Sequence, residues 1–303
     1  FMVSIDFYVN ETTRHARIIL PPTSSLERDH YDVAFNVLTV RNTAKFSPAL
    51  FEPADDTRHD WEILSELQSR MEHNGAVKHK WMRRFFGPER ILDLGLRFGP
   101  YGAKLNPFSN GLTLRKVKQA VHGIDLGPLQ SCLPGRLRTS DKRIDLAPEV
   151  LVKDVARVKK KLFDGAPVCV NGELLLIGRR QLRSNNSWMH NSQRMVKGKT
   201  RCTILMHPTD AANRDLLNGQ KVVVRSNVGS IVLPVEVSEE IMRGVVSIPH
   251  GWGHDRDGNQ QAIAQQHAGA SINDLTDQRA VDGLCGTAAF NGTAVTVAAW
   301  LPD

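Results

Sequence analysis

The second half of the chain contains six short apolar, β-branched runs separated by turn-forming residues, and this pattern limits the possible fold more than any other feature. The runs are "PVCVNGELLLIG", "RCTILMHP", "QKVVVRSN", "GSIVLPVEVS", "GVVSIP" and "GTAVTVAAW". Alternation within the fourth run places Ile231, Leu233, Val235 and Val237 on one face, and "SNVGS" predicts a hairpin turn before it. Six such strands with few helices between them predict a small closed β-barrel.

The first part of the chain predicts a partial α/β domain. "MVSIDFYVN", "ETTRHA" and "RIILPP" follow one another in the order strand, helical turn, strand. A helix is predicted at "DWEILSELQSRME", because Trp61, Leu64 and Met71 recur near the helical period, and Asp60 can cap it. We therefore expect an α/β remnant domain followed by an all-β barrel, α+β overall.

Between these parts lie short helical pieces, "HKWMRRFF", "PERILDLGL" and "LTLRKVKQAV", which Gly and Pro interrupt and in which Lys and Arg are frequent. We interpret this segment as a helical, basic excursion or linker, and the run "ARVKKKLF" near its end as a solvated helix face. The predicted division of the chain is 1–75, 76–165 and 166–303.

Composition places the chain among ordinary globular proteins. Of its 303 residues, 41% are hydrophobic and 23% charged, and no apolar stretch has the length of a membrane span. The strand-like start carries Asp6 and Glu11 where a signal peptide needs a basic start and an apolar core, so we expect a cytoplasmic protein that is part of a longer one. The four cysteines stand far apart, which favours isolated thiols in a reducing compartment over a metal or redox pair.

The net charge of +7 is unevenly spread. From Leu174 to Thr209 there is no acidic residue but seven bases, whereas the stretch from Asp210 to the end has eleven acids against six bases. A local positive surface of this kind suits nucleic acid, an anionic cofactor or an acidic protein.

Three loops of the barrel segment contain more polar residues and glycines than a hairpin needs. They are "GRRQLRSNNSWMHN" (178–191), "PHGWGHDRDGN" (249–259) and "SINDLTDQRAVDGLCGTAAFNG" (271–292). Arg gives bidentate bonds to phosphate, and Asn offers a donor and an acceptor to the edge of a heterocycle. Gly251 and Gly253 would let the backbone approach a flat ligand closely, whereas Trp188 and Trp252 are expected to be packing residues.

Other functions are possible for the same residues. His250, His254 and His267 could bind a metal, although a Gly-rich loop without a fixed further ligand is a weak signal. The sequence has no nucleophile elbow, no P-loop and no dinucleotide fingerprint after a strand. Nucleic-acid binding through the basic stretch 78–161 lacks a known binding fold. By residue type alone, a solvated surface fits the polar loop about as well as a binding site does.

Four stretches, in order along most of the chain, resemble the C-terminal part of the molybdenum or tungsten bis-pterin oxidoreductases, the group of formate dehydrogenases, nitrate reductases and dimethyl sulfoxide reductase. They are "VSIDFYVNETTRHARIILPP", with Arg17 where Asp is usual, "LIGRRQLRSNNSWMHN", "MHPTDAANRDLLNGQKVVVRSNVGSIVLPVEVSEEIMRGVVSIPHGWGH", and "SINDLTDQRAVDGLCGTAAFNGTAVTV", with Cys285 in a Ser position.

This resemblance implies a truncated α/β cofactor domain and a molybdopterin dinucleotide-binding double-psi β-barrel. Together they would cover part of a bis-(molybdopterin guanine dinucleotide) cofactor carrying Mo or W. The implied cofactor-binding residues of the first loop are Arg179, Arg180, Gln181, Arg183, Ser184, Asn185, Asn186, Ser187 and His190. His250, Gly251 and Asn273 would lie on the same pterin face, and Asn10, Glu11 and Thr12 near a nucleotide end.

The resemblance also implies partners. In this family the iron–sulfur cysteines and the metal ligand lie in an N-terminal half, so we expect no catalytic or metal-ligating residue in this chain. We expect it to act with that half and with an electron-transfer subunit, to be inactive alone, and to bind no nucleic acid. The alternative is a non-catalytic module, a barrel that binds a nucleotide or assembles subunits.

Overall fold

The computed structural model describes residues 1–71, 87–104, 106, 108–164 and 172–302, so the predicted helical piece "HKWMRRFF" lies outside the described residues. The chain divides into two compact units. The first consists of Phe1–Tyr8 and His15–Ile144, and the second of Val9–Arg14 and Asp145–Asp303. These boundaries differ from the predicted division at 75 and 165, which stays a prediction.

The predicted strand–turn–strand order near the start is present, but its strands are short. Strand β1 (Val3–Ser4) pairs in parallel with β2 (Ile18–Ile19), and a 3₁₀-helix lies at Thr13–His15. Polar side chains end the first strand early, because the Asp6 carboxylate accepts the Tyr8 N–H at 2.9 Å and Asn10 Oδ1 accepts the Thr12 and Thr13 N–H groups at 3.0 Å.

The rest of the first unit joins two short antiparallel sheets to three helices. Strand β3 (His30–Tyr31) pairs with β5 (Phe46–Ser47), and β4 (Arg41–Ala44) pairs with β6 (Ile124–Pro128). The helices are α1 (Asp60–Met71), as predicted, α2 (Pro88–Phe98) and α3 (Leu114–Gln119). A small core connects early and late segments through Ala44, Phe46, Leu112, Leu114 and Val117. Residues 112–128 are therefore packed into this unit.

In the second unit, helix α4 (Glu149–Leu162) precedes the barrel. Residues 156–163, the run "ARVKKKLF", are all exposed, which agrees with the predicted solvated face. Three lysines in the last turn and Glu149 in the first complement the helix dipole.

Six strands form a closed barrel, as the sequence predicts. They are β7 (Leu174–Arg179), β8 (Ile204–Met206), β9 (Lys221–Arg225), β10 (Ser230–Val237), β11 (Val245–Pro249) and β12 (Thr293–Ala299). Their order around the barrel is β10-β8-β11-β7-β12-β9. β7 with β11 and β8 with β10 are parallel pairs, and the other neighbours are antiparallel. This mixture of pairings is consistent with a double-psi barrel and differs from an up-and-down barrel.

The alternation in β10 fills the interior of the barrel. Ile231, Leu233 and Val235 are buried, and Val237 is partly buried against the same core. The predicted turn before this strand is confirmed, because the Ser226 N–H donates to the Gly229 carbonyl at 2.9 Å. The buried side chains of the other strands, among them Leu176, Ile204, Val224 and Val246, complete one continuous core.

Short helices lie in the connections of the barrel: α5 (Gln193–Val196), α6 (Pro208–Ala212), α7 (Ala262–Gln266) and a 3₁₀-helix at Ile272–Leu275. Among the helices that the structure describes, none has both the length and the apolar character needed to cross a bilayer.

Candidate functional site

The register of the barrel brings the three polar loops to one end. In the parallel pair β7–β11, Arg179 lies opposite Pro249, so the loops that follow these two strands begin side by side. β12 runs antiparallel to β7, so the segment that precedes β12 arrives at the same end. There Asn291 Oδ1 accepts the Gly178 N–H at 2.8 Å. Strand pairing alone therefore gathers residues from 180–191, 250–259 and 271–292.

Residues 180–191, here called the polar loop, contain two consecutive asparagines in the left-handed backbone conformation. Asn185 and Asn186 have φ values of 44° and 61°, in the left-handed region that Asn enters more readily than most residues. Arg180 Nη1 donates to Asn186 Oδ1 at 2.8 Å. Arg180, Asn185 and Asn186 are exposed and Ser187 is half-buried, so this part of the loop presents a guanidinium and amides to solvent.

The glycines of the second loop allow two loops to pack on each other. Gly251 has a φ of 97°, and a Cβ there would lie 2.1 Å from the carbonyl oxygen of Asn186. At Gly253 a Cβ would lie 2.6 Å from the Cβ of Ser271. In both glycines the space that a side chain would need is filled by another loop of the chain, so each glycine allows loop–loop packing. The expectation that their backbone approaches a flat ligand stays a prediction.

His250 lies near Arg180 of the polar loop, and one of its ring nitrogens has no hydrogen-bond partner among the described residues. Its Nε2 atom is buried and forms no hydrogen bond with any described residue. Burial lowers the pKa of His250, and the Arg180 charge lowers it further, so the ring is neutral at about pH 7. A buried nitrogen without a partner is costly unless a water or ligand supplies one.

Beneath the polar loop, four side chains form a continuous hydrogen-bonded chain, here called the histidine chain. The Ser184 hydroxyl lies 2.8 Å from His190 Nε2, and His190 Nδ1 lies 2.7 Å from His254 Nε2. His254 Nδ1 lies 2.7 Å from Glu11 Oε1, which also accepts a bond from Asn259 Nδ2. Ser184, His190 and His254 are only 2%, 3% and 1% exposed.

Both histidine rings are buried, and the pKa of His190 differs from that of a solvent-exposed imidazole. Burial lowers the pKa of His190 to about 4, and the neighbouring His254 contributes to this shift. The ring of Trp252 packs over His190, with 4.2 Å between the ring centroids. The polar loop therefore lies on a packed layer that contains neutral His190.

Arg179 points into the barrel wall. Its guanidinium donates to the Ser247 carbonyl and, through Nη2, to the Thr203 carbonyl at 2.8 Å and the Thr203 hydroxyl at 2.9 Å. Burial lowers the pKa of Arg179, while Glu236 and Cys202 oppose this shift. The guanidinium thus connects β7 to β11 and to the residue that precedes β8.

The other predicted site residues are distributed around this end of the barrel. Arg183 donates to the Arg194 carbonyl at 2.7 Å, Gln181 is half-buried, and Asn273 is exposed on an open cleft of about 690 Å³. Asn10 and Thr12 form the turn described above. Glu11 extends from that turn to His254, so the structure brings this residue to the base of the polar loop.

A second cavity of about 250 Å³ lies beside the histidine chain. Ser184, His190 and Trp252 line it, together with the bases Arg183, Lys199 and Arg201. Arg201 also donates to the carbonyls of Met195, Val196 and Lys197, which fixes the loop that carries these residues.

Sequence reasoning missed two of these residues. His254 was considered only as a metal ligand, and Asn259 was not considered. Trp188 was expected to pack but is 80% exposed. In the described part of the chain, no cluster of three or more His, Cys, Asp and Glu is placed to hold a metal ion.

The family model described as "Molydopterin dinucleotide binding domain" matches residues 174–294, the span from the start of β7 into β12. These residues are therefore a dinucleotide-binding domain of the molybdopterin enzymes. The resemblance that the four motifs indicate is confirmed.

Relatives and a solved structure agree with this assignment. Trimethylamine-N-oxide reductase from Haemophilus influenzae is 24% identical over 80% of this chain and 31% of its own length. Dimethyl sulfoxide/trimethylamine N-oxide reductase from Rhodobacter capsulatus is 22% identical over 96% of this chain and 38% of its own. Acetylene hydratase from Pelobacter acetylenicus has the same fold over 93% of this chain and 38% of its own, with a TM-score of 0.63 and 17% identity. The chain thus spans about a third of the length of the curated relatives it matches.

Proposed function

We propose that this chain is the C-terminal cofactor-binding portion of a molybdenum or tungsten bis-pterin oxidoreductase. The observation that carries the proposal is the convergence of three polar loops at one end of a barrel that matches a dinucleotide-binding domain. The residue types at that end suit a polyanionic cofactor with heterocyclic edges, because they combine an exposed guanidinium with side-chain amides.

The residues present fit such a group. The buried Nε2 of His250 lacks a hydrogen-bond partner. Arg180, and Asn185 and Asn186 with their left-handed backbone, present polar groups at the same end of the barrel. Arg180 would bind phosphate oxygens, Asn185 and Asn186 would bind ring edges, and His250 Nε2 would form one hydrogen bond to the group. Ser187, Gln181 and Asn273 would complete the contacts from the polar loop and from the cleft.

When bound, the cofactor supplies two-electron redox chemistry at its metal. The residues of this chain would orient it, and their hydrogen-bond donors would offset its negative charge. Gly251 brings its own loop against Asn186, which holds His250 and the polar loop at a constant separation. Arg179, Ser184, His190 and Glu11 would act one layer below, by fixing the loop that touches the cofactor.

The chain alone would be inactive under this proposal. The metal ligand and the iron–sulfur cluster would come from an N-terminal half, and electrons would pass through a further subunit. The complete enzyme would be cytoplasmic. Its substrate would be a small molecule that exchanges two electrons with the metal.

The test uses the complete enzyme with Arg180→Ala and with Asn186→Ala. Losing the charge-assisted hydrogen bond of Arg180, roughly 1.5–3 kcal/mol, should weaken cofactor binding about ten- to hundredfold. Losing a neutral hydrogen bond of Asn186, roughly 0.5–1.5 kcal/mol, should weaken it about two- to tenfold. Molybdenum and tungsten are measured by elemental analysis, and pterin by the fluorescence of its oxidised form. Arg243→Ala is the matched control, because Arg243 is exposed and lies before β11, at the end opposite His250.

Full cofactor occupancy in both loop variants would show that the polar loop does not bind the cofactor. A complete enzyme that contains neither pterin nor metal would instead support a non-catalytic barrel module.

A further inference from the structure

The histidine chain joins parts of the sequence that are far apart, and the proposed cofactor contacts do not use it. Glu11 and His254 are separated by 243 positions, and both belong to the second unit. The chain has a carboxylate at one end and the Ser184 hydroxyl, on the wall of the 250 Å³ cavity, at the other.

Each link of the histidine chain needs one hydrogen between two heavy atoms, and this requirement determines the donors. As a carboxylate, Glu11 only accepts, so His254 must carry its hydrogen on Nδ1. The Nε2 atom of a neutral His254 is then an acceptor, and His190 must carry its hydrogen on Nδ1. His190 Nε2 is in turn an acceptor, so the Ser184 hydroxyl donates to it.

The opposite arrangement is unfavourable while Glu11 is ionised. A neutral His254 with its hydrogen on Nε2 would place a nitrogen lone pair 2.7 Å from a carboxylate oxygen. Asn259 Nδ2 donates to the same oxygen, which supplies a further hydrogen bond to the ionised form. Little water reaches the three buried members, so a mismatch at one link cannot be relieved by solvent.

Other polar groups also face the histidine chain. The Gly251 backbone carbonyl accepts from His190 and raises its pKa, against the larger effect of burial. Arg201 faces His190 from the cavity wall, and its charge disfavours a second proton on that ring, as burial does. Cys202, whose thiol pKa is raised by burial, and His267 line the same cavity. The Arg14 guanidinium donates to the backbone carbonyls of Glu11 and Asp257.

We propose that Glu11 is a positioning residue that sets the tautomers of His254 and His190 and thereby the direction of the Ser184 hydroxyl. The hydrogen bonds at the base of the polar loop would then have a single donor–acceptor order, and Glu11 in segment 9–14 would determine it. Because the Ser184 hydrogen points inward, its oxygen would face the cavity as an acceptor only. The link to the cofactor rests on the proposed function, whereas the tautomers themselves do not.

The experiment measures histidine tautomers in the full chain without cofactor, by ¹⁵N labelling of histidine and two-bond ¹H–¹⁵N correlation spectra at about pH 7. His190→Gln and His254→Gln identify the two ring signals. In the wild-type chain both rings should carry a hydrogen on Nδ1 and none on Nε2. A hydrogen on Nε2 of either ring would overturn the proposal.

Two variants test the direction of control. Glu11→Gln keeps the shape but removes the charge and can present an N–H to His254, so the share of the Nε2–H tautomer should rise roughly five- to tenfold. Ser184→Ala should leave both tautomers unchanged, because the order is imposed from the opposite end. Inversion in Ser184→Ala, or an unchanged ratio in Glu11→Gln, would contradict the assigned role.

Glu240→Gln, at an exposed carboxylate of the same unit, is the control for the loss of one charge. If Glu11→Gln does not fold, the wild-type spectrum and Ser184→Ala still decide the question. The measurement needs no cofactor, so a failure of the proposed function in the complete enzyme would leave its outcome unchanged.

Discussion

Replacing Arg179 with Met separates a structural role for this guanidinium from a role in cofactor binding. Met has a similar length and is apolar, so it removes the hydrogen bonds to Ser247 and Thr203 while filling much of the same space. Both of those residues are buried, with exposed fractions of 4% and 7%, so solvent replaces the lost bonds poorly.

The expected loss of stability follows from the two backbone carbonyls that the substitution leaves without this donor. Each unsatisfied buried acceptor costs about 1–3 kcal/mol, and burial of the Met side chain returns part of this. We therefore expect the barrel to lose roughly 2–4 kcal/mol. Arg179→Lys should lose about half as much, since one ammonium cannot bridge both partners in the geometry of a guanidinium.

The assay is urea unfolding of the full chain, combined with hydrogen exchange at the amides of β7, β8 and β11, because a chain with two compact units need not unfold in one step. Arg180→Met is the matched control. Arg180 is exposed and bonded to Asn186 within the polar loop, so its loss should change stability by about 0.5 kcal/mol or less. Equal stability losses at both positions would refute this reasoning.

Three further predictions follow from the site. Gly251→Ala should displace the polar loop and increase hydrogen exchange there, whereas Gly127→Ala, with a similar φ but open space, should show only the backbone penalty of about 1–3 kcal/mol; equal effects would contradict the close contact. Because the pKa of His190 is lowered to about 4, the unfolded chain binds the extra proton between about pH 6.5 and pH 4, so stability should fall by up to roughly 3 kcal/mol as pH falls through this window. His190→Gln should reduce that dependence in urea titrations, and an unchanged profile would show that His190 is not its source. Iodoacetamide should modify exposed Cys132 and Cys285 before Cys202, whose burial raises its thiol pKa, and mass spectrometry of peptides would reveal any other order.

Local pattern predicted much of the architecture. The six barrel strands and helix α1 follow from period-two and helical spacing, which depend on residues close together in the chain. The hairpin at 226–229 has its own turn residues and needs no distant partner. The strands near the start were predicted too long, because side chains of Asp6 and Asn10 compete for backbone donors.

The composition of the polar loop indicated an anionic partner, and family motifs gave its residues expected roles. Neither distinguishes Arg179, which points into the barrel wall, from Arg180, which is exposed at its end. Neighbouring side chains at the end of a strand point to opposite sides, and only the closed barrel determines which of the two is buried and which is exposed.

The amino-acid sequence by itself therefore determined the six barrel strands, the helix α1 and the supply of arginines and amides near one end of the barrel. Tertiary structure alone decided that Glu11 meets His254 and that Gly251 lies against Asn186. The physical reason is that these contacts join residues far apart in the chain. Parallel pairing of β7 and β11 places Gly251 beside Asn186, and the contact of segment 9–14 with the loop after β11 places Glu11 beside His254. No local periodicity carries that information.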